Sequence, residues 1–417
     1  MRALWRFLFV RHRSLTALAV LFVVALTVAF GSGFWLMARL ANLILLAIPL
    51  AYLWAWSNTR GLDVEVERPV DRLQVGGAFE ERITITNRSW FTKLWLEVED
   101  PSDLPGHDSR RVISLAPRAR RSWRSVSTVL RRGLYNVGPV RVTTGDLFGL
   151  FRRTRRFGEP QPVLVYPRAV ELAGFSVPPA QLPGEGRVRR PSHFVTPNAA
   201  AVREYQPGDS FNRIHWRSTA RTGDLMVKLF ELDPASDIWI VLDLERAAQS
   251  GEGDDGTEER AVEIAASVAR FFLIANRSVG FIAYGKRFQL EEPERGLSQF
   301  TRILEALALA RAEGDVPVAE LLNHEGRRFG RHTTVVTITP STDESWVVSL
   351  QQLAGRGVKL AAILLEPRTF GGEGNALFVY GALAAADIFT YLVKRDDDLS
   401  RTLAVDASVR HAARSGM

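Results

Sequence analysis

The sequence predicts a multidomain protein. Residues 1–60 form a two-helix transmembrane hairpin and 61–170 an antiparallel β-sandwich; 171–235 hold a linker and a central segment. Residues 236–395 form an α/β domain with a mostly parallel sheet, and 396–417 a polar tail. Three observations carry this reading. Two long, charge-poor apolar runs stand near the N-terminus, a stretch of period-two alternation follows them, and beyond residue 236 short apolar runs alternate with segments of helical spacing.

The bulk properties set the bounds. At 417 residues and 46% hydrophobic content the chain has material for more than one core. It contains no cysteine, which removes disulfides, thiolate metal sites and cysteine nucleophiles. The net charge of +7 is unevenly spread: between Arg110 and Arg221 there are 21 arginines and no lysine against six acids. Such a region faces phosphate, acidic lipid or an acidic protein.

In the first run, Leu15 to Phe30 carries no charge, and with Gly31 to Phe34 it reaches the length needed to cross a hydrocarbon core of about 30 Å. The second, Leu40 to Trp56, is long enough to return, with Trp35, Tyr52, Trp54 and Trp56 as interfacial aromatics. Arg2, Arg6, Arg11 and Arg13 precede the first span, Arg39 is the one charge between the spans, and Arg60 follows the second. The positive-inside rule therefore places both ends, and the soluble domains, in the cytoplasm, with the chain in the cytoplasmic (inner) membrane. A cleaved signal peptide fits less well, because the run is too long and a second span follows.

After the hairpin, Leu62, Val64 and Val66 alternate with acids, then Phe79, Ile83 and Ile85, then Leu94, Leu96 and Val98. Regular turn signals between these runs suggest the sandwich. Arg152, Arg153, Arg155 and Arg156 form a basic cluster after the Gly145–Leu150 turn, read either as lipid-facing or as a charged edge strand. Nothing in this domain looks catalytic. Residues 171–202 are rich in Pro, Gly and Ala, and Gly184 and Gly186 lack the context of a nucleotide-binding loop.

The central stretch, Arg203 to Glu231, reads REYQPGDSFNRIHWRSTARTGDLMVKLFE. Gln206-Pro207-Gly208 makes a turn, Asp209 or Ser210 offers a cap, and a short helix runs to about Thr222 with Gly223 at its end. On that helix Arg213, Arg217 and Arg221 form one stripe, and like charges at this spacing call for an anionic partner. Glu204, Asp209, Asp224 and Glu231 are the nearest acids, and Ile214 and Trp216 are expected to pack against a neighbouring domain. The stretch is read either as an interdomain clamp whose charges satisfy one another, the favoured reading, or as an anion-recognition or docking surface.

In the α/β domain, Asp237–Asp243 is an apolar strand ending in an acid, and a helix is expected from about Glu258 to Arg277. Strands at 279–284, 333–339, 358–365 and 388–393 alternate with helices at 297–311, 345–354 and 375–385. A ligand crevice then lies at the carboxyl ends of the strands. Scattered histidines and the lack of a Gly-x-Ser-x-Gly elbow leave no catalytic set of a known hydrolase type.

The order of Arg203, Tyr205, Gly208, Asp209, Arg213, Trp216, Arg217 and Arg221, with the Ser218-Thr219-Ala220-Arg221 ending and the upstream run GPVRVTTGDLFGLF, resembles the bacterial family catalogued as domain of unknown function 58. The resemblance covers nearly the whole chain. It implies a membrane protein often encoded beside MoxR-type AAA+ ATPases, with a von Willebrand factor A-like C-terminal domain and no established reaction. Domains of that type hold Mg²⁺ with an Asp-x-Ser-x-Ser loop, a threonine and a second Asp. Asp243 matches the first acid, whereas Glu245 and Ala247 stand where the serines belong; Asp343, after Ser341 and Thr342, is placed for the later acid. A decayed site is the stronger reading of Asp243, Glu245 and Asp343, and a bound cation the weaker.

The sequence therefore points to a non-enzymatic adaptor at the bilayer that works with a MoxR-type ATPase. The alternative is a metal-dependent hydrolase acting on a phosphate-containing substrate through the three acids. Nucleic-acid binding ranks last, because the arginines are not interleaved with aromatic platforms.

Overall fold

A computed structural model describes residues 13–69, 72–177, 199–205, 214–230, 237–331 and 333–404, with backbone alone at 199–204 and 228–230. The chain divides into two compact units, Met1–Tyr166 and Pro167–Met417.

The first unit begins with helix α1 (Arg13–Ser32) and helix α2 (Trp35–Thr59), joined at Gly33, whose φ of +65° is open to glycine at little cost. Both helices are long and apolar enough to cross a membrane. Their buried positions include Ala25, Ala41, Ala51 and Ala55, small side chains that allow close approach, while Leu43, Leu45, Leu46 and Leu50 face outward.

Ten strands follow: β1 (Leu62–Glu67), β2 (Arg72–Gln74), β3 (Ala78–Asn87), β4 (Lys93–Glu99), β5 (Arg111–Leu115), β6 (Arg120–Thr128), β7 (Gly133–Val137), β8 (Val140–Gly145), β9 (Arg152–Phe157) and β10 (Gln161–Tyr166). They form three sheets, ordered β1-β3-β6, β2-β10-β7 and β5-β4-β8-β9. The first and third share one core, in which Ile83, Ile85 and Trp123 meet Leu96, Val98, Ile113, Val140 and Val142. The alternation read from the sequence is the reason: each strand turns every second residue inward. A smaller core gathers Leu73, Phe79, Leu104, Val129, Val137, Val163 and Val165.

The end of α2 is built into this domain. Asn58 Nδ2 donates to Leu94 O at 2.8 Å and Thr144 Oγ1 at 2.7 Å, while Leu94 N donates to Asn58 Oδ1 at 3.2 Å. The buried Lys93 ammonium donates to Ser57 O, and burial lowers its pKa. Ser14 Oγ donates to Gly149 O at 3.2 Å, and the Tyr52 and Phe151 rings meet edge to face at 5.5 Å. The basic cluster is the edge strand β9, with Arg155 donating to Thr59 O at 3.5 Å and Arg153 lying 5.6 Å from the Tyr52 ring centre. Asn58→Ala removes the hydrogen bonds that its amide makes to Leu94 N and O, leaving Thr144 Oγ1 on the carbonyl at 3.3 Å, and costs about 1–3 kcal/mol. Hydrogen exchange should then accelerate at residues 93–95 with little change at residues 333–339.

The second unit contains a two-stranded antiparallel sheet, β11 (Ala199–Glu204) with β12 (Met226–Phe230), and between them the short helix α3 (Trp216–Thr222). Next come β13 (Asp237–Leu242), α4 (Thr257–Ile274), β14 (Val279–Tyr284), β15 (Phe288–Glu294), α5 (Leu297–Leu309), α6 (Val318–Glu325) and β16 (Thr333–Thr339). The unit ends with α7 (Ser345–Gly355), β17 (Lys359–Leu365), α8 (Ala376–Ala385), β18 (Phe389–Val393) and α9 (Leu399–Thr402). The sheet order is β15-β14-β13-β16-β17-β18, all neighbours parallel except the β14–β15 pair at one edge. Trp239 and Val241 of β13 turn to the face covered by α6, α7 and α8, where Trp346, Leu350, Val379 and Leu383 complete the core. Ile238, Ile240 and Leu242 alternate to the other face. Because the connection after β13 runs to one side and β16 lies on the other, the carboxyl ends of β13 and β16 flank the switch in strand order, the position at which open α/β sheets generally bind ligands.

The sequence reading placed the parallel strands within a residue or so but contained neither β15 nor α6. The central helix is also shorter than expected. It starts at Trp216, since Ile214 pairs with Val227 as an isolated bridge, and its cap is His215, whose ring Nδ1 accepts from Ser218 N at 3.3 Å. Asp209 and Ser210, the expected caps, lie outside the described residues; Gly223, at φ +86°, ends the helix as read.

Candidate functional site at the carboxyl edge of the mixed sheet

Asp243 and Asp343, a hundred positions apart in sequence, reach the same end of the sheet because one follows β13 directly and the other lies in the turn after its neighbour β16. Asp243 follows β13 and is 2% exposed. Its Oδ2 accepts from Thr339 Oγ1 at 2.5 Å, at the end of β16, and its Oδ1 accepts from Glu245 N at 3.0 Å. Burial pushes its carboxyl up to about 6; the Thr339 and Glu245 hydrogen bonds oppose this, and the Glu245 charge adds to it. Thr339 Oγ1 also accepts from Ser341 N at 2.9 Å, so hydroxyl and carboxylate fix the turn that leads to Asp343.

Asp343 behaves differently. Its Oδ2 accepts from Ser345 Oγ at 2.5 Å and its Oδ1 from Ser345 N at 3.1 Å, and these bonds hold its carboxyl below the usual range. Glu245 is half-buried, and burial, then the Asp343 charge, raises its pKa. The three acids thus lie at one end of the sheet, where the Glu245 charge reaches Asp243 and the Asp343 charge reaches Glu245. Both oxygens of Asp243 and both of Asp343 are engaged by the protein itself. The one group of acids and histidines among the described residues whose ligand atoms all fall within 4.8 Å of one another lies in the first unit. The residues present therefore do not fit the Mg²⁺ loop of a von Willebrand factor A-like domain, and no reaction step is derived through such an ion.

What the edge does offer is surface. Glu366, after β17, is buried and accepts from Arg368 N at 3.4 Å and Ala376 N at 3.5 Å, fixing the start of α8. Gly374 sits so close to Thr342 that a Cβ there would lie 2.8 Å from its methyl group, which puts α8 beside the Ser341–Asp343 turn. Helix α8 carries no charge, and its Leu377 and Phe378 are 59% and 72% exposed. Exposed Thr342, Asp343, Glu344 and Glu373 lie in the two turns beside it. Helix α8 thus stands at this edge as an exposed apolar projection with an acidic rim. Sequence reasoning missed α8 in this role because its apolar residues pass equally well for core.

Of the signature residues, Gly208, Asp209 and Arg213 lie outside the described residues, and so does the side chain of Arg203. Tyr205 N donates to Leu225 O at 2.7 Å. Arg217 and Arg221 are exposed on α3, one turn apart. Trp216 is 67% exposed, contrary to the packing expected of it, whereas Ile214 is buried. His215 was not singled out in the sequence. Its ring Nδ1 lies 2.7 Å from Ser218 Oγ, and Met226 N donates to Thr219 Oγ1 at 3.0 Å, tying helix to strand.

Residues 201–370 match the family described as Protein of unknown function DUF58. Uncharacterized protein YeaD of Bacillus subtilis (strain 168) is 26% identical over 304 residues, 70% of this chain and 73% of that protein. An uncharacterized protein of Mycobacterium tuberculosis (strain ATCC 25618 / H37Rv) is 30% identical over 175 residues; the match spans 40% of this chain and 54% of the mycobacterial one. Among solved structures, the CARDB domain of a Pyrococcus furiosus protein is 18% identical over 25% of this chain and 94% of its own, at a TM-score of 0.19, too low to carry an argument.

Proposed function

We propose that the chain is a membrane-anchored adaptor whose α/β domain docks a protein partner at the carboxyl edge of its sheet, the partner being a MoxR-type AAA+ ATPase engaged in assembly or maturation of protein complexes. The observation that carries the reading is the pairing of a buried Asp243, both of whose oxygens are engaged, with the exposed Leu377 and Phe378 of α8, the helix that starts beside the Ser341–Asp343 turn. The edge is built to hold shape and present surface. The class of partner is what the sequence resemblance implies. The doubly wound mixed sheet supports a von Willebrand factor A-like reading of this domain, and the core shared by two sheets supports a β-sandwich reading of the first.

The N-terminal arginines orient both soluble parts toward the cytoplasm, on the positive-inside rule. Trp90, Phe91, Leu147 and Phe148 are exposed on loops, and Trp95 on β4, flanking the end of α2, where aromatic side chains rest in the headgroup layer. Beside them the arginines of β9 face anionic lipid.

Co-purification from detergent extract tests the proposal. The tagged chain should retain a MoxR-type ATPase, and Phe378→Asp should lower the retained amount at least about tenfold, the scale of an interface hot spot. Full recovery with Phe378→Asp, or wild type that retains no such ATPase, contradicts it.

A further inference from the structure

Strand β3 turns Phe79, Glu81, Ile83 and Ile85 to one side, so a carboxylate enters the interior in the company of three apolar residues. There Glu81 meets Asp100, at the end of β4, and His107, in the segment that leads to β5. Glu81 is 1% and Asp100 3% exposed, and the His107 side chain 1%. Glu81 Oε1 lies 3.5 Å from His107 Nε2. Arg68, almost as buried, donates from Nη2 to Asp100 Oδ2 at 2.5 Å, and its Nε stands 3.7 Å from Glu81 Oε2. Both Glu81 oxygens, Asp100 Oδ1 and His107 Nε2 have no hydrogen-bond partner. Four unpaired polar atoms in one buried place are expensive, and a fold that keeps them has an occupant for them.

We propose that Glu81, Asp100 and His107 bind one divalent transition-metal ion of the zinc class through Glu81 Oε1, Asp100 Oδ1 and His107 Nε2. The donor set, two carboxylates and an imidazole, suits such an ion in a chain that has no thiolate to offer. The spacing fits as well. One ligand atom from each residue lies within 4.8 Å of the others. Two donors bound at about 2.1 Å to a tetrahedral zinc stand roughly 3.4 Å apart, close to the Glu81–His107 separation.

The surroundings prepare the donors. His107 Nδ1 lies 3.0 Å from Ser127 Oγ, which can accept its proton, and in that tautomer the Nε2 lone pair faces the acids. Arg68 occupies the far oxygen of Asp100 and faces the far oxygen of Glu81, so the near oxygens are left for the ion. The competing occupant is a proton on Glu81, whose carboxyl burial and Asp100 push up to about 8. One proton satisfies one donor–acceptor pair and leaves at least one of the three proposed ligand atoms orphaned, whereas a metal takes all three. The ion would clip β3, the end of β4 and the segment holding His107 into one body, closing a loop of the sheet-rich domain.

The test uses the full chain in detergent, stripped with a chelator and reloaded with Zn²⁺. About one zinc per chain should remain after desalting, with a raised melting temperature. Glu81→Gln and His107→Gln should each weaken zinc binding at least about tenfold, while Asp243→Asn retains it. A wild-type chain that retains no zinc, or equal retention in both variants, overturns the proposal. Should a variant fail to fold, Co²⁺ in the wild-type chain decides. An intense visible spectrum of tetrahedral cobalt with nitrogen and oxygen donors supports the site, and a spectrum like that of aqueous cobalt overturns it.

Discussion

Replacing Gly314 by alanine destabilises the α/β domain by about 3 kcal/mol, near the upper end for overpacking, and moves Glu245. A Cβ at this position would stand 2.5 Å from Tyr284 O and 3.1 Å from Leu244 O. Both are backbone atoms at the ends of adjacent strands, so no side chain can swing aside to make room. Gly314 also accepts from Arg246 N at 2.8 Å, donates to Leu244 O at 3.2 Å and pairs with Glu245 as an isolated bridge. The methyl group therefore separates the chain ends that hold the acidic edge. Chemical denaturation followed by tryptophan fluorescence reads the loss. A midpoint unchanged from wild type would mean that the two strand ends yield more easily than their hydrogen bonds indicate.

Asp243→Asn has the opposite sign. The carboxyl rises from its ordinary 3.8 to about 6 in the folded chain. The folded state thus binds the proton more tightly than the unfolded state, and stability falls as pH climbs from about 4 to about 6, then levels. That difference corresponds to about 3 kcal/mol above pH 6. Asparagine removes the charge but gives back about 1 kcal/mol, because it must satisfy Thr339 and Glu245 N with a single acceptor. A net gain of about 2 kcal/mol follows at pH 7.5, shrinking to nothing or a slight loss near pH 3.5. Thermal melts of both proteins at the two pH values, with and without Mg²⁺, check this. A loss at pH 7.5 that appears only with Mg²⁺ would instead make Asp243 a ligand.

The parts of the fold that could be read in advance are those where burial is total or absent. Leu15–Phe30 has no charge to interrupt it, and Thr333–Thr339 is buried on both faces, so each run is continuous and its kind follows from its length. Strand β15 escaped because Phe288–Glu294 is an edge strand carrying three glutamates and Pro293, which a central strand would not tolerate. Helix α6, only eight residues long, gave too little periodicity to register. The short helix α3 misled for a physical reason: Asp209 and Ser210 satisfy the usual capping preference, but a histidine ring nitrogen performs the task five residues later.

Sites were legible to the extent that strand ends locate them. Asp243 and Asp343 came together because they follow β13 and β16; that Thr339 and Ser345 would engage their oxygens depends on side-chain directions that spacing does not give. Glu81 is the instructive omission. Its position, two residues from Phe79 and two from Ile83, places a charge on the inward face of a strand, a signal present in the alternation itself. Its partners Asp100 and His107 lie on segments without periodicity, and only the folded chain joins them.

The central claim, that the carboxyl edge of the mixed sheet docks a MoxR-type ATPase, is tested most directly by a photo-crosslinking residue placed at Phe378 or at Trp90, one variant at a time, in full-length chain expressed in cells. The account predicts an adduct with the ATPase from position 378 and none from position 90. An adduct from position 90 alone, or none from either with both chains expressed, would contradict it.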